Sequence, residues 1–286
     1  MATVLISYAS RTYAASQKRL TESARGLGID RVVSYSPGFL YTTGYAFRHF
    51  HILRRHKGAG YWLWKPYIIA RTLHSVPEGD IVLYSDVDHV IAGDLDPLLE
   101  LACRHAVVLF SNHGRLNRTW TKRDCFVYMG CDTPECHDAE QLEAGQVIVR
   151  NTPSGRAFVA EWLRWCEDRR ILTDEPNTCG LPDLEGFQAH RHDQSVLSLV
   201  ARRRQVEVFR SPTQRGNHLK LPEYRTIGEC LKAPYSPAPW SNSAYGTLVE
   251  EAGLVYSDTR SALRKRLARS HHLRGLVRSV RKWLGH

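Results

Sequence analysis

Gly79-Asp80-Ile81-Val82-Leu83-Tyr84-Ser85-Asp86-Val87-Asp88 is an apolar run that ends abruptly in two carboxylates spaced i, i+2. The apolar part reads as a buried strand, and in an extended strand residues i and i+2 point to the same side. Asp86 and Asp88 then form a pair of hard oxygen ligands, suited to Mg²⁺ or Mn²⁺ already carrying phosphate oxygens. The same pair also fits an ordinary strand-to-turn junction, where Asp is common. A short Asp-x-Asp does not decide between these readings, so the surrounding sequence must.

Upstream, residues 2–8 (ATVLISY) read as a buried strand, followed by the polar loop Ala9-Ser10-Arg11 and a helical pattern stopped by Gly28. Residues 30–35 (DRVVSY) form a second strand, stopped by Ser36-Pro37-Gly38. Such a β-loop-helix-β opening starts a nucleotide-binding α/β layer. Neither Gly-x-Gly-x-x-Gly nor Gly-x-x-x-x-Gly-Lys-Ser/Thr occurs, so a dinucleotide fold and a P-loop are unsupported. Gly58-Ala59-Gly60 ends an aromatic, basic segment, and Tyr61-Trp62-Leu63-Trp64-Lys65-Pro66-Tyr67 follows. Pro66 suits the first turn of a helix to about residue 74. Lys65 then lies at a helix N-terminus, where it can neutralise a diphosphate. The competing reading makes Trp62, Trp64 and Tyr67 core and Lys65 solvated.

Downstream, a helix over 95–103 follows Asp94 as its cap, and a short strand covers 106–110. Residues 115–137 read as a long, irregular, functional loop. Cys125, Cys131, Cys136 and His137 cluster there, but their spacing matches no standard zinc pattern. Residues 145–150 form a strand, and Thr152-Pro153-Ser154 cap an amphipathic helix over 155–169. Residues 172–186 are a turn-rich acidic loop. His190-Arg191-His192-Asp193-Gln194-Ser195 opens a helix to about 203, so Asp193 and Gln194 point into a site. Residues 206–209 are a last core strand, and 212–245 a loop folding back over the site.

The chain has 286 residues and a net charge of +10. Residues 259–286 hold nine Lys and Arg and no acidic residue; subtracting nine leaves the body near +1. Basicity confined to the tail excludes a nucleic-acid-binding body. Leu273, Leu276, Val277, Val280, Trp283 and Leu284 lie at helical spacing opposite arginines, which reads as an amphipathic anchor on an anionic membrane surface. The division expected is thus a 1–258 body and a 259–286 tail. Seven cysteines, with no signal peptide at the N-terminus, point to reduced thiols and a cytoplasmic location.

The opening strand, Trp62-Leu63-Trp64-Lys65-Pro66, Asp86-Val87-Asp88 and His192-Asp193-Gln194-Ser195 occur in this order. Together they resemble bacterial GT-A glycosyltransferases of lipopolysaccharide and capsule synthesis, over roughly residues 2–220. The resemblance implies an α/β fold with a single mixed, mostly parallel sheet flanked by helices. It implies a UDP-sugar donor, a glycan or glycolipid acceptor, and Mn²⁺ or Mg²⁺ held by Asp86 and Asp88. Ser7, Tyr8, Ala9, Lys65, Asp86, Gly145, Gln146 and His192 would bind substrate. Asp193 and Gln194 look like the Asp-Gln pair of retaining galactosyl- and glucosyltransferases, with the carboxylate on sugar hydroxyls and the amide near the anomeric carbon. The family's third metal ligand is a His, for which His218 stands in a departing context and His190 and His192 compete. An inverting enzyme would instead need a base, from Asp183, Glu185 or Asp193. A non-catalytic sugar-nucleotide-binding protein is the alternative of another class.

Overall fold

The computed structural model describes residues 1–218, 227–232, 234–235 and 240–256. Its strands are β1 (Thr3–Tyr8), β2 (Arg31–Tyr35), β3 (Ile81–Ser85), β4 (His89–Ile91), β5 (Val107–Leu116), β6 (Glu140–Leu142), β7 (Gln146–Arg150), β8 (Val208–Phe209) and β9 (Val249–Glu251). Seven of them form one sheet in the order β2-β1-β3-β7-β5-β6, with β8 also on β5; β4 and β9 form a separate ribbon. β2 and β3 run parallel to β1, while β7 runs antiparallel to both β3 and β5. β8 is parallel to β5 and β6 antiparallel to it. Five strands therefore point one way and two the other. This is the mixed, mostly parallel α/β sheet that the sequence led us to expect.

Both faces are covered, which is why β1 and β3 are buried at every position and read as unbroken apolar runs. Val4, Ile6, Val82 and Tyr84 face one core; Leu5, Ile81 and Leu83 face the other, as strand alternation requires. Helices α1 (Ala14–Ser23) and α3 (Asp96–Arg104) cover the second face through Leu20, Leu98 and Leu101. Helices α2 (Trp64–Leu73), α4 (Pro153–Cys166) and α5 (Asp193–Arg203) cover the first. At the start of α4 the Thr152 hydroxyl accepts from the Gly155 N–H at 3.1 Å, with Pro153 in the first turn. Phe158 and Trp162 on its inner face are fully buried, each worth roughly 2–3 kcal/mol of transfer free energy.

Two local expectations change. Asp86-Val87-Asp88 is not extended: β3 stops at Ser85, and the triplet turns into β4, with the His89 N–H donating to the Asp86 carbonyl at 3.2 Å. Residues 115–137 are not an irregular loop either. β5 continues to Leu116, and short helical turns at Asn117–Trp120, Arg123–Tyr128 and Pro134–His137 follow. Trp120, Cys125 and Phe126 are buried, so the segment is held by packing, and polar sequence between them concealed it. His137 pairs with Asp132 at 2.8 Å and Cys125 donates to the Met129 sulfur. Among the described residues no helix is long and apolar enough to cross a membrane. The basic 259–286 segment lies outside the described residues.

Trp162 links this core to α5, because its indole N–H donates to the Asp193 carbonyl at 2.9 Å. Trp162→Phe removes that donor and part of a fully buried ring. Chemical denaturation should show a loss of about 2–4 kcal/mol with an unchanged m-value; a loss below about 0.5 kcal/mol would remove the link.

Candidate active site

Three elements converge on one buried ammonium. Lys65 stands in the first turn of α2 and is 2 % exposed. Its Nζ donates to the Ala144 carbonyl at 2.8 Å and lies 3.3 Å from Asp86 Oδ1 and 3.2 Å from Asp193 Oδ2. Burial works against the charge, but Asp193 and then Asp86 outweigh it, so the Lys65 pKa is raised. Asp193, 3 % exposed, is pushed up to about 6 by burial, with Lys65 opposing and Asp86 adding. The Tyr84 hydroxyl also donates to Asp86 Oδ1. Lys65 is thus neither solvated nor open to solution; it cross-links the two motifs.

The backbone is strained on both sides of this pair. Residues 58–62 all have φ between +51° and +98°, including the non-glycines Ala59, Tyr61 and Trp62. A left-handed turn costs roughly 1–2 kcal/mol per non-glycine residue. Glycine is required at two points of it: a Cβ on Gly58 would lie 2.3 Å from the Trp62 ring, and one on Gly60 2.6 Å from Leu53 Cα. His192, just before Asp193, also has φ +54°. These turns aim Trp62 and Asp193 at a common space, as strain at functional sites commonly does.

That space has three parts meeting at Asp86. A cleft of about 560 Å³ is walled by Tyr8, Ser10, Tyr13, Trp62, Trp64 and the Asp86-Val87-Asp88 turn. Tyr8 stacks on Trp64 at 4.0 Å, giving the cleft an aromatic wall. A second cavity of about 300 Å³ lies among Trp62, Lys65, Gly145, His192, Asp193 and Gln194. A third of about 170 Å³ includes Asp88, His89, Glu143, Arg191, Gln194 and Arg215.

The sequence-derived site residues divide accordingly. Tyr8, Lys65, Asp86, Asp88, Gly145, His192, Asp193 and Gln194 are brought together. Ser7 is buried, and its hydroxyl accepts from the Gln17 amide at 3.1 Å; Ala9 is buried with its N–H on the Tyr35 carbonyl. Gln146 is fully buried within β7 with both amide atoms unpaired. His190 uses both ring nitrogens on backbone, the Ile171 carbonyl and the Lys122 N–H, so it does not compete as a ligand. His192 pairs through Nδ1 with the Leu172 carbonyl, and burial pushes its pKa down to about 4. His218 forms an isolated bridge with Tyr235 and walls none of these three spaces. Asp183 accepts from the Arg123 N–H and the Asn177 amide, and Glu185 is exposed on the same loop; neither walls these spaces.

Sequence reasoning missed Glu143, Arg191 and Arg215. Glu143 is pushed up to about 7 by burial, with Arg215 opposing and Glu251 adding. Its one sequence signal is a lone charge in Gln141-Leu142-Glu143-Ala144-Gly145, between two strands. Gln141 was missed as well: its side-chain oxygen accepts from the Gln194 amide group at 2.9 Å.

The carboxylates of Asp86 and Asp88 suit a hard divalent cation. Asp88 is 43 % exposed, and among the described residues its nearest basic side chain is His89 at 4.0 Å; burial and the adjacent Asp86 raise the Asp88 pKa, which a divalent cation would relieve. Among the described residues no group of three or more His, Cys, Asp or Glu side chains is gathered for a metal, so other ligands would come from substrate or water.

No family model and no curated protein matches the chain. Solved structures that resemble it include the bifunctional glycosyltransferase WbbM, 14 % identical, covering 80 % of this chain and 43 % of that one, with a TM-score of 0.45. Mouse xyloside xylosyltransferase 1 is 9 % identical, covering 88 % and 97 %, with a TM-score of 0.46. The galactosyltransferase LgtC, with donor and acceptor sugar analogues, is 14 % identical, covering 86 % of each chain, with a TM-score of 0.40.

Lys65→Met leaves Asp86 and Asp193 facing each other with no cation between them. The variant should lose about 3–5 kcal/mol of stability at pH 7 in EDTA. Without Lys65 the folded Asp193 holds its proton above about 6, further above its unfolded value. Stability is therefore greatest at low pH and falls as pH rises through that range. A loss independent of pH would contradict the bridging role.

Proposed function

We propose that the chain is a GT-A glycosyltransferase. It moves a hexose from a UDP-sugar to a glycan or glycolipid acceptor, with retention, in cell-surface polysaccharide synthesis of the lipopolysaccharide or capsule type. The observation that carries this reading is the junction at Lys65. It ties a paired carboxylate turn beside an aromatic cleft to a second carboxylate beside a polar cavity. On this reading a nucleobase would occupy the aromatic cleft, a diphosphate the turn, and a sugar the cavity.

The geometry supports the following roles. The Tyr8–Trp64 wall and Trp62 offer stacking surface to the base. Asp86 and Asp88 would hold Mn²⁺ or Mg²⁺, which when bound neutralises charge developing on the leaving diphosphate. Lys65 keeps Asp193 ionised and oriented, and Asp193 accepts hydrogen bonds from donor-sugar hydroxyls. Gln194, held by Gln141, walls the cavity where a cationic anomeric centre would form. Retention needs no strong base, because the departing phosphate takes the acceptor's proton on the same face. One observation favours an inverting variant: Glu143, held near 7 in the adjoining cavity, has the pKa of a general base.

We also place the 259–286 segment, outside the described residues, on an anionic membrane surface at the inner face of the cell membrane. Deleting it should lower flotation with anionic liposomes at least about tenfold while turnover of a soluble acceptor persists; turnover lost with folding intact would place the segment in the site.

Asp88→Asn should lower Mn²⁺-dependent hydrolysis of the preferred UDP-sugar about 100-fold or more, and EDTA should match it in the wild type. Full activity in Asp88→Asn would remove the metal assignment. The anomeric configuration of a product, read by NMR, decides between retention and Glu143-driven inversion.

A further inference from the structure

Arg191 is a charge at this site that meets no counter-ion among the described residues. It stands two residues before α5, and its backbone N–H donates to the Trp120 carbonyl at 3.1 Å. Its guanidinium lies 4.4 Å from the Trp120 ring centroid, with Arg115 at 5.4 Å from the same ring. The ring attracts the cation but does not neutralise it. Its Nε is buried without a hydrogen-bond partner, and it makes no ion pair among the described residues. Arg215, by contrast, is paired with Glu251 at 2.8 Å. Burial lowers the Arg191 pKa, and Arg215 adds to that. A half-buried guanidinium with no anion disfavours the folded state unless a ligand brings one.

Its position says which part of a substrate would meet it. Arg191 walls the 300 Å³ cavity beside Asp193 and Gln194, and also the 170 Å³ cavity beside Glu143. It does not wall the aromatic cleft. Lys65 is already spent on Asp86 and Asp193, so a diphosphate at the carboxylate turn would rely on a divalent cation held by Asp86 and Asp88. Both cavities border Asp86 as well, and Arg191 shares them with Asp193, Gln194 and Glu143 and not with the aromatic cleft, so an anion that reaches it sits on the side of the carboxylate turn away from the nucleobase.

We propose that Arg191 binds a carboxylate or phosphate carried by the transferred sugar or by the acceptor, so that this enzyme handles an acidic glycan unit. The inference rests on the sugar-transfer reading. A guanidinium 4.4 Å over an indole offers paired N–H donors whose fork matches a carboxylate or phosphate edge. Neutral hexoses lack such an edge.

Calorimetry on the full chain with Mn²⁺ tests it in two arms. The donor arm compares UDP-glucuronate with UDP-glucose; the acceptor arm compares methyl glucuronide with methyl glucoside in the presence of UDP. The acidic probe should bind about tenfold tighter than its neutral partner in one arm, and that arm identifies the source. Arg191→Gln should bring the ratio to about one, and Arg191→Lys should keep part of it. No acidic preference in either arm while UDP binds overturns the inference and spares the sugar-transfer reading. A preference that survives in folded Arg191→Gln also overturns it. Failure of UDP to bind the wild type removes both.

Discussion

A buried ammonium between two carboxylates is the constraint around which the first face of the sheet is arranged. Lys65 loses its water, and regains equivalent stabilisation only because Ala144, Asp86 and Asp193 arrive within 3.3 Å. Those groups come from the start of α2, the end of β3, the approach to β7 and the start of α5. None can move alone without exposing an uncompensated charge. The left-handed turn at 58–62 and the positive φ of His192 are the backbone distortions that accompany this convergence. Their unfavourable conformations are tolerated because the core around Trp64 and Trp162 over-determines the position of both segments.

The reversed strand β7 matters for the same reason. A parallel strand at that place would require a long crossover and would put its connecting loop at the far end of the sheet. Running antiparallel, β7 starts beside the end of β3, so the Asp86 N–H donates to the Gly145 carbonyl at 2.8 Å. Glu143, Ala144 and Gly145 thereby border the carboxylate turn. Gly145 is hemmed in by His89 at 2.9 Å and Asp86 at 3.4 Å from where a Cβ would stand, so a side chain there would push into the cavity.

Much of this was legible in the amino-acid order, for physical reasons. β1, β3, β7 and α4 carry uninterrupted apolar runs or a clear helical stripe with a proper cap, and such signals survive without tertiary information. Asp86, Asp88, Lys65, Asp193 and Gln194 were legible because each is a polar residue at the end of an apolar element. Glu143 and Arg191 were not, because nothing local distinguishes a charge facing a cavity from one facing water. Their significance arises from strand reversal and from Trp120, which lies 71 positions from Arg191 in the chain. The ligand reading of His190 failed because a ring closed off by two backbone groups looks, in a string of letters, like any other histidine. The extended reading of Asp86-Val87-Asp88 failed because strand and turn differ there by one hydrogen bond.

The β4–β9 ribbon has a mechanical consequence. β9 returns from far along the chain to pair with the strand just after Asp88, and the Ala252 N–H donates to the Asp88 carbonyl at 2.9 Å. Beyond it, Val255 exchanges hydrogen bonds with Ser16, and Leu254 walls the aromatic cleft. The chain therefore passes Tyr256 at the rim of the cleft. Displacing β9 therefore shifts the carboxylate turn and one wall of the aromatic cleft together.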